Sequence, residues 1–88
     1  MKWKIEYSKQ AIKFVNQHEI ISTIKKEIKK FLLKMTGESV NLNTKKLKGA
    51  WEGYLRIRKG KIRILFLIDK NNKIIYIEKV DFRGDIYK

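Results

Sequence analysis

The apolar residues of this chain follow two different periods, and the change from one to the other restricts the fold class. Ile20, Ile21, Ile24, Ile28, Phe31, Leu32 and Met35 form one stripe of a 3.6-residue helix, with Lys25, Lys26, Lys29, Lys30 and Lys34 covering the other side. From Tyr54 to Val80 the pattern shortens to strand-like alternation broken by turn residues. Helices followed by a run of strands predict an α+β fold rather than an alternating βαβ sheet.

The remaining elements fit around this switch. Trp3, Ile5 and Tyr7 alternate with Lys2, Lys4 and Glu6, as in a strand with one apolar face. Ser8 suits the N-cap of a first helix with Ala11, Ile12, Phe14 and Val15 on its apolar side. A break at Asn16–His18 separates it from the long helix, which Gly37 ends, so the two make an αα-hairpin. Glu38 to Gly53 shows no period and reads as a polar connection anchored by Leu42 and Leu47. Its length is unusual in a small domain and points to a functional loop.

Strands are expected at Tyr54–Arg58, Lys61–Asp69 and Ile74–Val80, with Lys59-Gly60 as a two-residue hairpin turn and Asp81–Lys88 as a tail. The order is β-α-α-β-β-β: a helical hairpin packed on a small twisted antiparallel sheet, with the first strand at one edge. The 88 residues make one domain, 1–88. Its expected core is Ile24, Ile28, Phe31, Ile57, Ile62, Ile64 and Phe66.

Composition removes several classes of function. Cysteine is absent, which excludes disulfides and thiolate metal sites. The only histidine, His18, sits at a helix boundary, and the carboxylates are scattered, so neither a metal nor another cofactor is expected. The glycines form no phosphate-binding motif and the three serines have no triad context. The N-terminal MKWKIEYSKQ has no unbroken apolar stretch and no segment approaches membrane-spanning length, so a soluble cytoplasmic protein is expected.

The net charge is +13, and self-repulsion at this density favours a polyanionic partner. The chain contains 22 Lys and Arg together, yet arginine appears only as Arg56, Arg58, Arg63 and Arg83, all in the second half. Guanidinium binds phosphate in a planar, bidentate way that ammonium does not. With Lys59-Gly60 as the turn, Arg58 is expected to face Lys61, Arg56 to face Arg63 and Tyr54 to face Leu65. One face of this hairpin is then aliphatic, while the other carries Tyr54, Arg56, Arg58, Lys61 and Arg63 without a carboxylate. Such a face suits RNA, whose own 2′-OH serves as nucleophile where neither His, Cys nor metal is at hand.

The segments KKLKGAWEGYLRIRKGKIRILFLID and IIYIEKVDFRGDIY resemble the RelE/ParE superfamily of type II toxin–antitoxin toxins. The shared pattern is Leu47, Gly49, Tyr54, Arg56-Ile57-Arg58, Gly60, Arg63-Ile64, Val80, Arg83, Ile86 and Tyr87. Most similar are the RelE mRNA interferases, which cut mRNA in the ribosomal A site and are inhibited by an acidic antitoxin. The resemblance implies a metal-independent endoribonuclease with ribosome, mRNA and a cognate acidic antitoxin as partners, and with no membrane or small-molecule cofactor. It implies that Arg63 binds the scissile phosphate, Arg83 stabilises charge or protonates the leaving oxygen, and Tyr87 stacks on a base or orients the 2′-OH. Arg56 and Arg58 stand where the best-studied relatives have lysines, which leaves Lys61 or Lys59 as the candidate for proton transfer, or a reaction that rests on electrostatic stabilisation. Tyr54, Arg56, Arg58, Lys59, Lys46 and Lys48 are assigned to RNA binding. Two other readings remain: a ParE-like gyrase poison on the same fold, and an RNA-binding protein without catalysis. Trp51 is expected to serve loop packing.

Overall fold

The computed structural model describes residues 2–82. The chain runs β1 (Lys4–Tyr7), α1 (Lys9–Gln17), α2 (Ile21–Met35), β2 (Asn43–Lys46), a 3-10 turn (Gly49–Trp51), β3 (Leu55–Lys59), β4 (Ile62–Asp69) and β5 (Ile74–Phe82). The five strands make one mixed sheet in the order β1-β5-β4-β3-β2, antiparallel throughout except for the parallel β1–β5 pair at one edge.

Both helices form where the sequence provides an end signal. Ser8 caps α1 by accepting from the Ala11 N–H at 3.1 Å. Gly37 ends α2 at φ +94°, with Gly37 N–H bonded to Lys34 O and Glu38 N–H to Leu33 O, both at 3.1 Å. That pair of bonds is a Schellman motif, which needs a residue at positive φ. The α2 stripe buries Ile24, Ile28 and Phe31 against Ile57, Ile64, Phe66, Ile75, Ile77 and Val80 of the sheet, and Ala11 and Val15 of α1 complete the core. Phe31 and Phe66 meet edge to face at 5.0 Å. All seven expected core residues lie in this cluster or, like half-buried Ile62, pack against it.

Three expectations about the strands are corrected. First, the polar connection contains a strand, β2, which pairs with β3 at the sheet edge. Its NTKK sequence has no apolar alternation because an edge strand with lysines needs none. Second, the hairpin turn is Gly60-Lys61 rather than Lys59-Gly60. Gly60 at φ +58° takes the first central position, as a type II′ turn requires. Arg58 therefore faces Arg63 and Arg56 faces Leu65, two residues away from the expected register. The parity is unchanged, so each residue stays on its assigned face. Third, β5 continues through Phe82, two residues into the expected tail.

A bulge interrupts β5. Leu65 pairs with Lys79 but Phe66 pairs with Ile77, which leaves Glu78 with no partner on β4. The extra residue lets both Ile77 and Val80 point into the core. The start of α1 clamps it: Ser8 Oγ donates to Glu78 O, and the Gln10 amide both donates to Val80 O and accepts from Val80 N–H.

Candidate nucleic-acid interface

The helices cover one face of the sheet. The opposite face, which no described helix covers, is organised in rows that follow from strand register. Asn43, Arg58, Arg63 and Asp81 line up across β2, β3, β4 and β5. The next row is Lys45, Arg56, Leu65 and Lys79. Three of the four arginines in the chain thus occupy adjacent positions. Arg56 is buried and its Nη2 donates to Asn43 Oδ1 at 3.0 Å, which fixes its fork across the β2–β3 pair. Arg58 Nε is also buried and has no hydrogen-bond partner among the described residues. A buried guanidinium N–H of this kind is well placed to receive a phosphate oxygen.

The hairpin considered alone carries no acid on this face, but the whole sheet does. Asp81 stands directly opposite Arg63. Glu78, freed by the bulge, lies near Tyr54. The phenol of Tyr54 is held above its usual pKa by burial and by the neighbouring Glu78 carboxylate and Tyr76. The signal for Glu78 was present in the sequence: Ile75, Ile77 and Val80 are spaced by two and then three, the mark of a strand with one extra residue.

Other expected site residues are distributed as follows. Lys61 and Lys59 are exposed at the hairpin turn, close in sequence to Arg58 and Arg63. Tyr54 precedes β3 and is half-buried, with its ring edge to face against Trp51 at 5.1 Å. Lys46, assigned to RNA binding, pairs with Leu55 on the helix side, whereas its neighbour Lys45 lies opposite Arg56 on the arginine face. Lys48 lies in the segment between β2 and β3, where it lines hollows at both faces. Arg83 and Tyr87 lie outside the described residues.

On the helix side a groove of about 820 Å³ opens between the end of α2 and the β2–β3 edge. Phe31, Met35, Leu47, Leu55 and Ile68 line it, and Lys46, Lys48 and Lys70 stand with Glu52 among its polar residues. Met35 and nearby Leu33 are exposed large apolar side chains.

The same arrangement of elements occurs in solved toxin structures. The RelB-RelE antitoxin-toxin complex from Methanococcus jannaschii matches at 26% identity and TM-score 0.64, over 93% of this chain and 94% of that one. The chain has the RelE-like toxin fold. The YoeB-YefM toxin-antitoxin complex from Staphylococcus aureus has a similar chain at 22% identity and TM-score 0.65, covering 94% and 99% of the two chains. A metal-bound toxin from Helicobacter pylori shares the fold at 13% identity and TM-score 0.67, covering 97% and 99%. No family model and no curated protein matches the sequence. Among the described residues of this RelE-like chain, no helix is long and apolar enough to cross a membrane.

Proposed function

We propose that this RelE-like chain is the toxin of a type II toxin–antitoxin pair and that the sheet face opposite its helices cleaves mRNA on the ribosome, in the A site. The observation that carries the reading is the contiguous placement of Arg56, Arg58 and Arg63 on the sheet face opposite the helices. Arg63 and Arg58 grip the scissile phosphate, and their fixed charge stabilises the dianionic phosphorane as it forms. The ribose 2′-oxygen bonds to phosphorus, the bond from phosphorus to the 5′ oxygen breaks, and a cyclic phosphate remains. Carboxylates as a class accept protons at neutral pH and guanidiniums do not. Glu78 therefore takes the 2′-OH proton in this scheme, with Lys61 as the alternative. By resemblance, Arg83 delivers a proton to the leaving oxygen and Tyr87 orients the substrate.

The partner that holds such a face inactive is an acidic antitoxin, in keeping with the antitoxin-bound state of several structural neighbours. An acidic segment of it lies across the arginine rows, and an amphipathic helix fills the groove beside Phe31 and Met35. Steering by the +13 charge makes capture fast, and apolar burial makes it tight.

The test is 5′-end mapping of cellular mRNA after induction of the parent chain and of Arg63→Ala. New ends within codons are expected for the parent alone, with the variant folded and harmless. Arrest without new RNA ends, accompanied by gyrase-dependent DNA breaks, would replace this reading with that of a gyrase poison. A toxic Arg63→Ala would remove Arg63 from the site.

A further inference from the structure

The segment joining β2 to β3 does not hang free. Its neck is closed by Leu47 N–H donating to Tyr54 O at 3.0 Å, and its tip is folded by Glu52 N–H to Gly49 O and Tyr54 N–H to Trp51 O. Beneath it is a slot of about 210 Å³, lined by Leu47, Lys48, Trp51, Arg63, Leu65 and Lys79.

The lining divides into two chemistries. Trp51 and Leu47 form apolar walls, and Leu65, only 3% exposed, is an aliphatic residue in the row that runs from Lys45 and Arg56 to Lys79. Arg63, Lys48 and Lys79 supply three cations, and among the described residues no carboxylate lines the slot. A flat apolar surface beside fixed positive charge matches a nucleotide, whose base is flat and apolar on its faces and whose phosphates are anionic. The volume lies below the roughly 300 Å³ at which pockets for larger ligands begin, so it suits one ring system. The Trp51 indole is held by the edge-to-face contact with Tyr54 and therefore gives little orientational freedom away on binding.

We propose that this slot is a subsite for one unstacked base of single-stranded RNA, stacked on Trp51 over Leu65, with the flanking phosphates on Arg63, Lys48 and Lys79. The proposal rests on RNA being the substrate but not on the cleavage step. It turns Trp51 from loop packing into the residue that positions the substrate strand. It also accounts for the closed loop, because an open one would leave the indole without a fixed plane.

The test is a binding measurement on the full chain carrying Trp3→Phe, so that Trp51 is the only tryptophan. A short single-stranded oligoribonucleotide is expected to quench Trp51 fluorescence saturably, and the same sugar-phosphate backbone without bases is expected not to. Trp51→Ala should weaken binding about tenfold or more, in line with the ~1–3 kcal/mol typical of base–aromatic stacking. Trp51→Phe should restore most of it, which separates stacking from loss of fold. Lys79→Ala should lower the salt dependence of binding by about one ion while leaving the quench in place. Equal quenching by the abasic strand, or unchanged affinity of Trp51→Ala, would overturn the proposal. So would quenching by an acidic peptide and not by RNA, which would make the slot a protein-docking site. A chain that binds in this way without cutting RNA would keep the subsite and remove the nuclease reading.

Discussion

Arg58 and Arg63 stand directly opposite each other across the β3–β4 hairpin. Like charges in register cost stability, roughly 0.2–1 kcal/mol for an exposed pair. The far side of Arg63 faces Asp81, which offsets part of that cost, and Arg58 faces the uncharged Asn43. Of this pair, Arg58, next to the hairpin turn, therefore has the less compensated charge among the described residues.

The first prediction follows from this placement. Arg58→Thr puts a β-branched residue into the strand and removes the repulsion, so it should raise the free energy of unfolding by roughly 0.2–1 kcal/mol. The same change should weaken RNA binding and lower its salt dependence by about one ion. Urea unfolding and a salt titration of binding check the two halves. A variant that is less stable and binds equally well would show that Arg58 serves the fold instead of the ligand.

A second prediction concerns pH. Burial and the neighbouring Glu78 carboxylate raise the Tyr54 phenol above its ordinary value of 10.0. The folded chain thus keeps this proton longer than the unfolded chain. The associated stability is intact below about pH 10 and is lost as pH rises through the folded-state value. Phenolate absorbance, compared between the parent and Tyr54→Phe, isolates this group among the four tyrosines. Glu78→Gln should move its ionisation back toward the ordinary value, and in the RNA reading should also depress cleavage while binding persists. An unmoved titration would place the carboxylate away from the phenol.

The arginine face was legible before the structure because a strand shows its two faces in the parity of its residues. Moving the turn by one residue changed every facing pair yet sent no side chain to the other side of the sheet. The β2 strand was not legible. Asn43, Thr44, Lys45 and Lys46 carry no alternation, and only pairing with β3 makes them a strand. That is also why Lys46 was named for RNA binding while Lys45, which lies opposite Arg56, was not. The carboxylates of Glu78 and Asp81 were missed because the face was drawn from one hairpin, and neither the bulge nor the place of β5 beside β4 enters that drawing. For Arg83 and Tyr87 the family resemblance is the whole of the argument.

The third prediction tests the clamp on the bulge. The Gln10 side chain bonds Val80 at both its N–H and its carbonyl, at 3.2 and 3.0 Å, and Val80 is fully buried. Gln10→Ala leaves two backbone groups without these partners, a loss of roughly 1–3 kcal/mol. Gln10→Glu keeps an acceptor but not the donor and should fall between the two. Hydrogen exchange at Val80 should accelerate in Gln10→Ala ahead of the rest of β5. Uniform exchange across the strand would mean that the bulge holds without its clamp.

The last prediction concerns the groove between α2 and the β2–β3 edge. Its apolar lining and its lysines should act at different stages of antitoxin capture. Lys46 and Lys70 present charge among the lining residues, and Lys46 is exposed on an edge strand, so they steer an acidic helix from a distance. Met35 offers apolar area that becomes buried only once the helix is seated. Reversing both lysines to glutamate should slow association by about tenfold or more at low salt, with the difference shrinking as ionic strength rises. Met35→Asp should leave the association rate nearly unchanged and speed dissociation, because short-range packing is lost after encounter. Rapid mixing with the cognate antitoxin at two salt concentrations measures both. If the double lysine variant associates at the parental rate while Met35→Asp dissociates no faster, the helix is seated elsewhere on the toxin.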